Sequence, residues 1–182
     1  MHSTGGSGQG YLVEGVAAGV ATFDYDNDGW MDIYFLNGAR LKENPAASDE
    51  AAGDQGNAPT NRLYRNNGDF TFTDVTQEAG VGDTGYGLGV VTGDFDGDGH
   101  TDIYVNNFGT NVLYRNRGDR TFEDVTEAAG VSAGDQVGAG AAFLDIEGDG
   151  DLDLYVANYV DFSYETHVPI EIKGMVHTAG PQ

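Results

Sequence analysis

Hydrophobic side chains along this chain come in short runs, and within the runs they alternate with polar ones. Ile103 and Val105, then Val112 and Tyr114, fall at period two, and Gly, Asn and Asp cluster between the runs. Period two puts alternate side chains on opposite faces of an extended strand, and Gly, Asn and Asp supply the backbone shapes that tight hairpins need. Residues 89–126 therefore read as four short strands. GVVTGDF enters a loop, DIYVNNF leaves it, NVLYRN follows, and RTFEDVT returns after a turn at Arg117, Gly118 and Asp119.

The plan recurs. GVATFDYDNDGWMDIYFLNG (19–38), GVVTGDFDGDGHTDIYVNNFG (89–109) and AAFLDIEGDGDLDLYVANY (141–159) align, as do NRLYRNNGDFTFTDVTQEAGV (61–81) and NVLYRNRGDRTFEDVTEAAGV (111–131). Asp24 and Asp94 lie 70 residues apart and Asp94 and Asp145 only 51; the excess of 19 is explained by the polar segment 39–59, which reads as a surface insertion. Units of about 50 residues with four strands each predict an all-β fold of β-propeller-type blades, each of four antiparallel strands. The expected layout is a disordered leader at 1–10 and a repeat region at 11–163, with units near 11–81, 82–131 and 132–163. A tail at 164–182 follows no repeat, although PIEIKGMV within it could supply a strand. About two and a half blades fall short of the roughly 4 to 8 that close a propeller. A partial propeller is expected, either part of a longer protein or completed by another copy, because open blade edges offer unpaired strand backbone.

Between the first two strands of each unit lies an acidic loop: DYDNDGWMD (24–32), DFDGDGHTD (94–102) and DIEGDGDLD (145–153). Like charges packed this densely repel unless a positive group sits among them. In the pattern D-x-D/E-x-D-G-x-x-D, positions 1, 3 and 5 turn carboxylates inward. Gly at position 6 (Gly29, Gly99, Gly150) permits a sharp turn, position 7 lends a backbone carbonyl, and the position-9 carboxylate closes the shell. The candidate ligands are Asp24, Asp26, Asp28, Trp30 and Asp32 in the first loop and Asp94, Asp96, Asp98, His100 and Asp102 in the second. In the third they are Asp145, Glu147, Asp149, Asp151 and Asp153, with Glu147 where the others have Asp. Six to eight oxygen donors suit Ca²⁺ better than Mg²⁺, so up to three Ca²⁺ ions are expected. An EF-hand is excluded, since position 12 is Phe35, Val105 and Val156, inside apparent strands. Extracellular-type calcium modules bind with dissociation constants of roughly 10⁻⁴ to 10⁻³ M. Such sites would be nearly empty in a cytosol low in calcium, which points to a structural metal in a secreted or periplasmic protein.

Composition narrows the partners. Gly accounts for 29 of 182 residues, more than double the usual ~7%, as expected of a chain with many turns. Thirty acids against 8 bases give a net charge of −22, and acids outnumber bases outside the loops as well. That surface repels phosphate backbones and anionic lipid, so nucleic acid is not an expected partner. No run approaches the ~20 apolar residues of a membrane helix, and no signal peptide is visible at MHSTGGSGQG. With no Cys there is neither a disulfide framework nor a thiolate site. His2, His100, His167 and His177 have no metal spacing, and GDTGYGLG (82–89) runs into a strand rather than a phosphate-binding helix. G-x-S-x-G, H-E-x-x-H and P-loop motifs are absent, and the clustered acids are already assigned to metal, so no enzyme is expected. Tyr34, Tyr104 and Tyr155 recur at one strand position and Tyr64 and Tyr114 at another; they are expected to pack between blades, and Arg65 and Arg115 to pair with local acids. Arg117-Gly118-Asp119 spells an adhesion tripeptide, but Asn67-Gly68-Asp69 at the equivalent turn marks its Gly-Asp as turn chemistry.

The repeated stretches resemble FG-GAP/VCBS-type repeats, the calcium-loop blades also found in integrin α-subunit propellers. More closely, over about residues 11–163, they resemble the cartilage acidic protein family and its bacterial ASPIC/UnbV relatives. The resemblance implies a secreted, calcium-binding, non-catalytic propeller module that contacts an extracellular protein, matrix or glycan in cell adhesion, with the loop carboxylates as ligands. The family's C-terminal module is not present in this chain. Two other functions stay open at this point: a structural building block whose blade edges pair between copies into rings or filaments, and the non-catalytic part of a secreted hydrolase or lyase.

Overall fold

The computed structural model describes residues 19–38, 59–132, 136–161, 169–172 and 175–178. The expected leader at 1–10 and nearly all of the insertion at 39–59 lie outside the described residues. Strands β1 (Val20–Phe23), β2 (Asp32–Phe35), β3 (Arg62–Asn66) and β4 (Phe72–Asp74) form one antiparallel meander in that order. Strands β5 (Tyr86–Gly93), β6 (Asp102–Phe108), β7 (Val112–Asn116) and β8 (Phe122–Asp124) repeat it. A third unit is represented by β9 (Gln136–Leu144) and β10 (Asp153–Asp161), paired with each other and joined to β6 by the single register pair Phe108↔Val137. First strands β1, β5 and β9 lie side by side, so the meanders fan out like blades. The fold is nearly all-β, a partial propeller as the alternation predicts. In the tail, Pro169–Ile172 (β11) and Met175–Thr178 (β12) pair antiparallel, so the stretch PIEIKGMV, expected to supply one strand, contributes to two.

One local element differs from expectation. The segments read as strands through DVT stop at Asp74 and Asp124, and single-turn helices α1 (Thr76–Ala79) and α2 (Thr126–Ala129) follow. Asp74 Oδ1 accepts from the Thr76 N–H (3.1 Å) and hydroxyl (2.6 Å), while Thr76 Oγ1 accepts from the Leu63 N–H (2.9 Å). Asp124, Thr126 and Leu113 repeat the arrangement. Gly80 and Gly130, in the left-handed region, end the turns. Four residues show no helical period, so hydrophobic patterning cannot reveal them.

The core lies between units rather than inside one. Phe23, Tyr25, Tyr34, Leu36 and Leu63 of the first unit cluster with Ile103, Val105, Tyr114 and Phe122 of the second. Tyr25 stacks on Phe122 with ring centroids 6.3 Å apart, and the buried Tyr34 hydroxyl donates to the Val81 carbonyl at 2.8 Å. A four-stranded meander has two faces and cannot cover both; its neighbour covers one. Phe122, buried at this junction, has Phe72 as its counterpart on the first unit, 41% exposed. Phe122→Ala is expected to cost about 3 kcal/mol by urea denaturation of dilute protein, and Phe72→Ala less than about 1 kcal/mol. Equal costs would contradict a core placed at the junction.

Candidate metal centre

Each acidic loop is wound by its own carboxylates. Position 1 accepts from the amides of positions 5 and 6: Asp24 from Asp28 (3.1 Å) and Gly29 (2.8 Å), and Asp94 from Asp98 (3.1 Å) and Gly99 (2.8 Å). Asp145 does the same with Asp149 and Gly150. Position 5 then accepts from the position-7 amide, at Trp30, His100 and Asp151. Holding that curl requires positive φ at position 6 (90°, 87° and 98° at Gly29, Gly99 and Gly150) and also at position 4, where Asn27, Gly97 and Gly148 have 56°, 72° and 74°. The position-4 requirement was legible in the residue types, Asn and Gly being those that tolerate it, but the ligand pattern alone does not reveal it.

Position 9 pins the loop to the blade. Asp32, fully buried, accepts from the Tyr25 N–H (2.9 Å) and the Asn66 N–H (2.8 Å); Asp102, also fully buried, accepts from Phe95 (3.0 Å) and Asn116 (2.7 Å). Both oxygens of each carboxylate are thus already engaged, and any bond to a metal would use their remaining lone pairs. Asp153 accepts from Ile146 at 3.2 Å. The Asn that ends LYRN completes the clamp: Asn66 Nδ2 donates to the Met31 carbonyl and Asn116 Nδ2 to the Thr101 carbonyl, both at 3.1 Å. Sequence reasoning passed over Asn66 and Asn116, although their recurrence was visible.

Two clusters bring carboxylate oxygens within 4.8 Å of one another: Asp24, Asp26 and Asp28, and Asp94, Asp96 and Asp102. In the first, the Asp26 side chain has no exposed surface and neither oxygen has a hydrogen-bond partner; it forms an ion pair with Arg120, whose Nε lies 3.1 Å from Oδ2. A buried carboxylate without hydrogen bonds is costly; an all-oxygen set with such a member fits a hard cation. In the second loop the Arg115 guanidinium lies against Asp96 and Asp98 (3.1 Å to Asp98), so the expected local pairing holds there. The third loop, with residues 145–151 exposed, forms no such cluster. Trp30 and His100 at position 7 turn their rings away over Gly68 and Gly118; a Cβ at Gly118 would come within 2.3 Å of the His100 ring. Gly118 has positive φ and Asp119 accepts from Thr121, so the Arg-Gly-Asp tripeptide is a built turn, with Arg117 paired to Glu123 at 3.2 Å.

The first loop is finished by the second unit. Besides Arg120, Asn116 Nδ2 donates to the Tyr25 carbonyl (2.8 Å), and Asn27 Nδ2 donates to the Gly99 carbonyl (3.2 Å). Burial raises the Asp26 carboxyl, with Asp28 adding to the effect, and burial likewise raises Asp32. Asp102 is pushed by burial up to about 6 although its two amide bonds favour the charged form.

A family model described as FG-GAP-like repeat matches residues 48–105 and 94–156. Each match ends on an acidic loop and the strand leaving it, while the loop at 24–32 precedes both. The match is to the repeat itself and does not extend to the cartilage acidic protein or ASPIC/UnbV group. No curated protein matches the chain. Among the described residues, no helix is long and apolar enough to cross a membrane.

Two outcomes follow for metal-free protein in EDTA. Asp32→Asn places an amide group against a backbone N–H and is expected to cost about 2 kcal/mol. Asp26→Asn removes an unsolvated charge, so its melting temperature should equal or exceed that of the parent; the reverse order would mean that the two carboxylates have exchanged roles. A carboxyl raised in the folded state holds more protons folded than unfolded, so its contribution is complete below about pH 4 and is lost as pH rises through about 6. The lowered carboxyls Asp69, Asp74 and Asp119 act below that window. In EDTA the protein should therefore melt lower at pH 7 than at pH 5, and a higher melting point at pH 7 would contradict the buried state of Asp102.

Proposed function

The chain belongs to the FG-GAP-like repeat family, and from that premise we propose that it is a calcium-stabilised propeller segment acting outside the cell as a non-catalytic interaction module for a protein or glycan partner. The observation that carries the calcium reading is the buried Asp26 carboxylate, with no hydrogen bond and only the Arg120 ion pair, converging with Asp24 and Asp28. Removing water from a carboxylate and giving it no hydrogen bond is tolerable where a divalent cation replaces both. Oxygen-only donors on a curled nine-residue loop favour calcium, which accepts irregular shells, over magnesium, which requires a strict octahedron. The extracellular placement follows from affinity: sites of this type fill at millimolar calcium and empty at cytosolic levels. Adhesion or matrix contact is the role that the likeness to cartilage acidic protein repeats supports.

The first and second loops are the expected calcium sites, the first the tighter because Arg120 meets only Asp26 there, whereas Arg115 bridges both Asp96 and Asp98 in the second. A site with a dissociation constant of about 0.1 mM at about 1 mM calcium stabilises by about 1.4 kcal/mol. Two such sites give about 3 kcal/mol, or a rise of about 6–12 °C in melting temperature for a chain of this size. The test is thermal unfolding in EDTA, in millimolar calcium and in millimolar magnesium, repeated on Asp26→Asn. Calcium alone should raise the parent's melting point, and the variant should lose about half of the rise. An equal response to both metals, or an undiminished rise in the variant, would overturn the reading.

A further inference from the structure

The junction between the first and second units buries one face of each. Phe23, Tyr25 and Tyr34 of the first unit, exposed by 5%, 2% and 0%, meet Val105 and Phe122 of the second, exposed by 0% and 7%, with Val90 packed alongside. The repeat defines the equivalent positions on the outermost faces. On the third unit, Leu144, Ile146 and Tyr155 take the places of Phe23, Tyr25 and Tyr34, and they are 38%, 62% and 62% exposed. On the first unit, Val20, Phe35 and Phe72 take the places of Val90, Val105 and Phe122, and they are 58%, 41% and 41% exposed. Among the described residues, each of these two faces therefore carries exposed apolar side chains at the positions that are buried against a neighbouring unit at the internal junction, and the two faces are of opposite kind.

We propose that a second copy of this chain occupies these surfaces head to tail, the Val20–Phe35–Phe72 face of one copy packing on the Leu144–Ile146–Tyr155 face of the next. The internal junction is the template: Phe72 would lie on Ile146 as Phe122 lies on Tyr25. Phe70, 93% exposed, stands in the turn where the second unit has Arg120, so the contact between copies is more apolar than the internal one. A contact between two different faces is heterologous and continues from copy to copy unless its rotation closes a ring. Net charge of −22 opposes the approach of two copies, so the association strengthens with added salt. The inference rests on the packing of units and not on the calcium reading.

Sedimentation velocity over a concentration series, with and without calcium, tests it. The parent chain should grow in mean mass with concentration in at least one of the two conditions. Phe72→Asp and Ile146→Asp each leave every molecule with one damaged face, so each alone should be monomeric. An equimolar mixture offers one intact face of each kind and should form a dimer and stop there. Both residues are exposed, and circular dichroism verifies folding; Val20→Lys and Tyr155→Lys on the same faces replace any variant that fails to fold. A parent that stays monomeric in both conditions, a single-face variant that still associates, or a mixture that remains monomeric would overturn the proposal.

Discussion

The buried carboxylate at position 9 of the first and second loops is the fastening on which the two complete units depend. Asp102 is fully buried and accepts from the backbone amides of Phe95 and Asn116, tying the start of the loop to the end of the third strand. Asn116 then reaches out of its own unit to the Tyr25 carbonyl. One carboxylate thus links loop, blade and neighbouring blade. Asp32 does the first two of these in the first unit. A buried charged acceptor with two amide donors is a strong, directional device, and removing one partner leaves desolvated donors unpaired. For this reason the ninth residue of each loop is constrained by folding before any ligand is considered.

The remaining acids of the loops create an electrostatic problem. Three carboxylates with oxygens within 4.8 Å repel pairwise by about 3–4 kcal/mol at an effective dielectric constant near 20. Position 1 spreads its charge over two backbone amides, and position 5 over one. Position 3 is served least: Asp96 accepts only a long bond from the Asp98 amide (3.3 Å) and takes Arg115 from its own unit, while Asp26 accepts no hydrogen bond and takes Arg120 from the next. Thus the carboxylate the backbone satisfies least is the one left to counter-charges. That division explains how one nine-residue pattern can fold reliably and still present an acid to a cation.

Strands, acidic loops and the repeat were legible in the sequence because each rests on local chemistry: period-two alternation, Gly and Asn where φ is positive, carboxylates at alternate positions. Tyr34 and Tyr104 are buried as their recurrence predicts, yet Tyr155 at the same strand position is 62% exposed. Repetition reports what a residue is adapted to pack against, not whether that neighbour is present. The clamp residues Asn66 and Asn116 recur at the end of LYRN, but recurrence does not tell which groups an Asn bonds. Its partners, the Met31 and Thr101 carbonyls, lie about 35 and 15 residues earlier in sequence. The one-turn helices escaped because four residues are too few to show a period. Long-range partners were hidden; short-range chemistry was not.

The order of burial around the fan shows that a loop's environment is set by the unit after it. At position 2, Tyr25 is 2% exposed beneath Phe122 of the second unit; Phe95 is half-buried, stacked on Phe143 of the third at 6.4 Å; Ile146 of the third unit is 62% exposed. Position 3 follows suit, with the Asp26 side chain fully covered and that of Asp96 24% exposed. Desolvation strengthens every charge interaction inside the loop, so loops of nearly identical sequence have different electrostatics according to their place in the series. A cation held by the first loop would consequently stabilise the junction as well as the loop, because the groups that enclose it come from two units. Coupling of this kind makes the repeat array more cooperative than its short local elements would be alone.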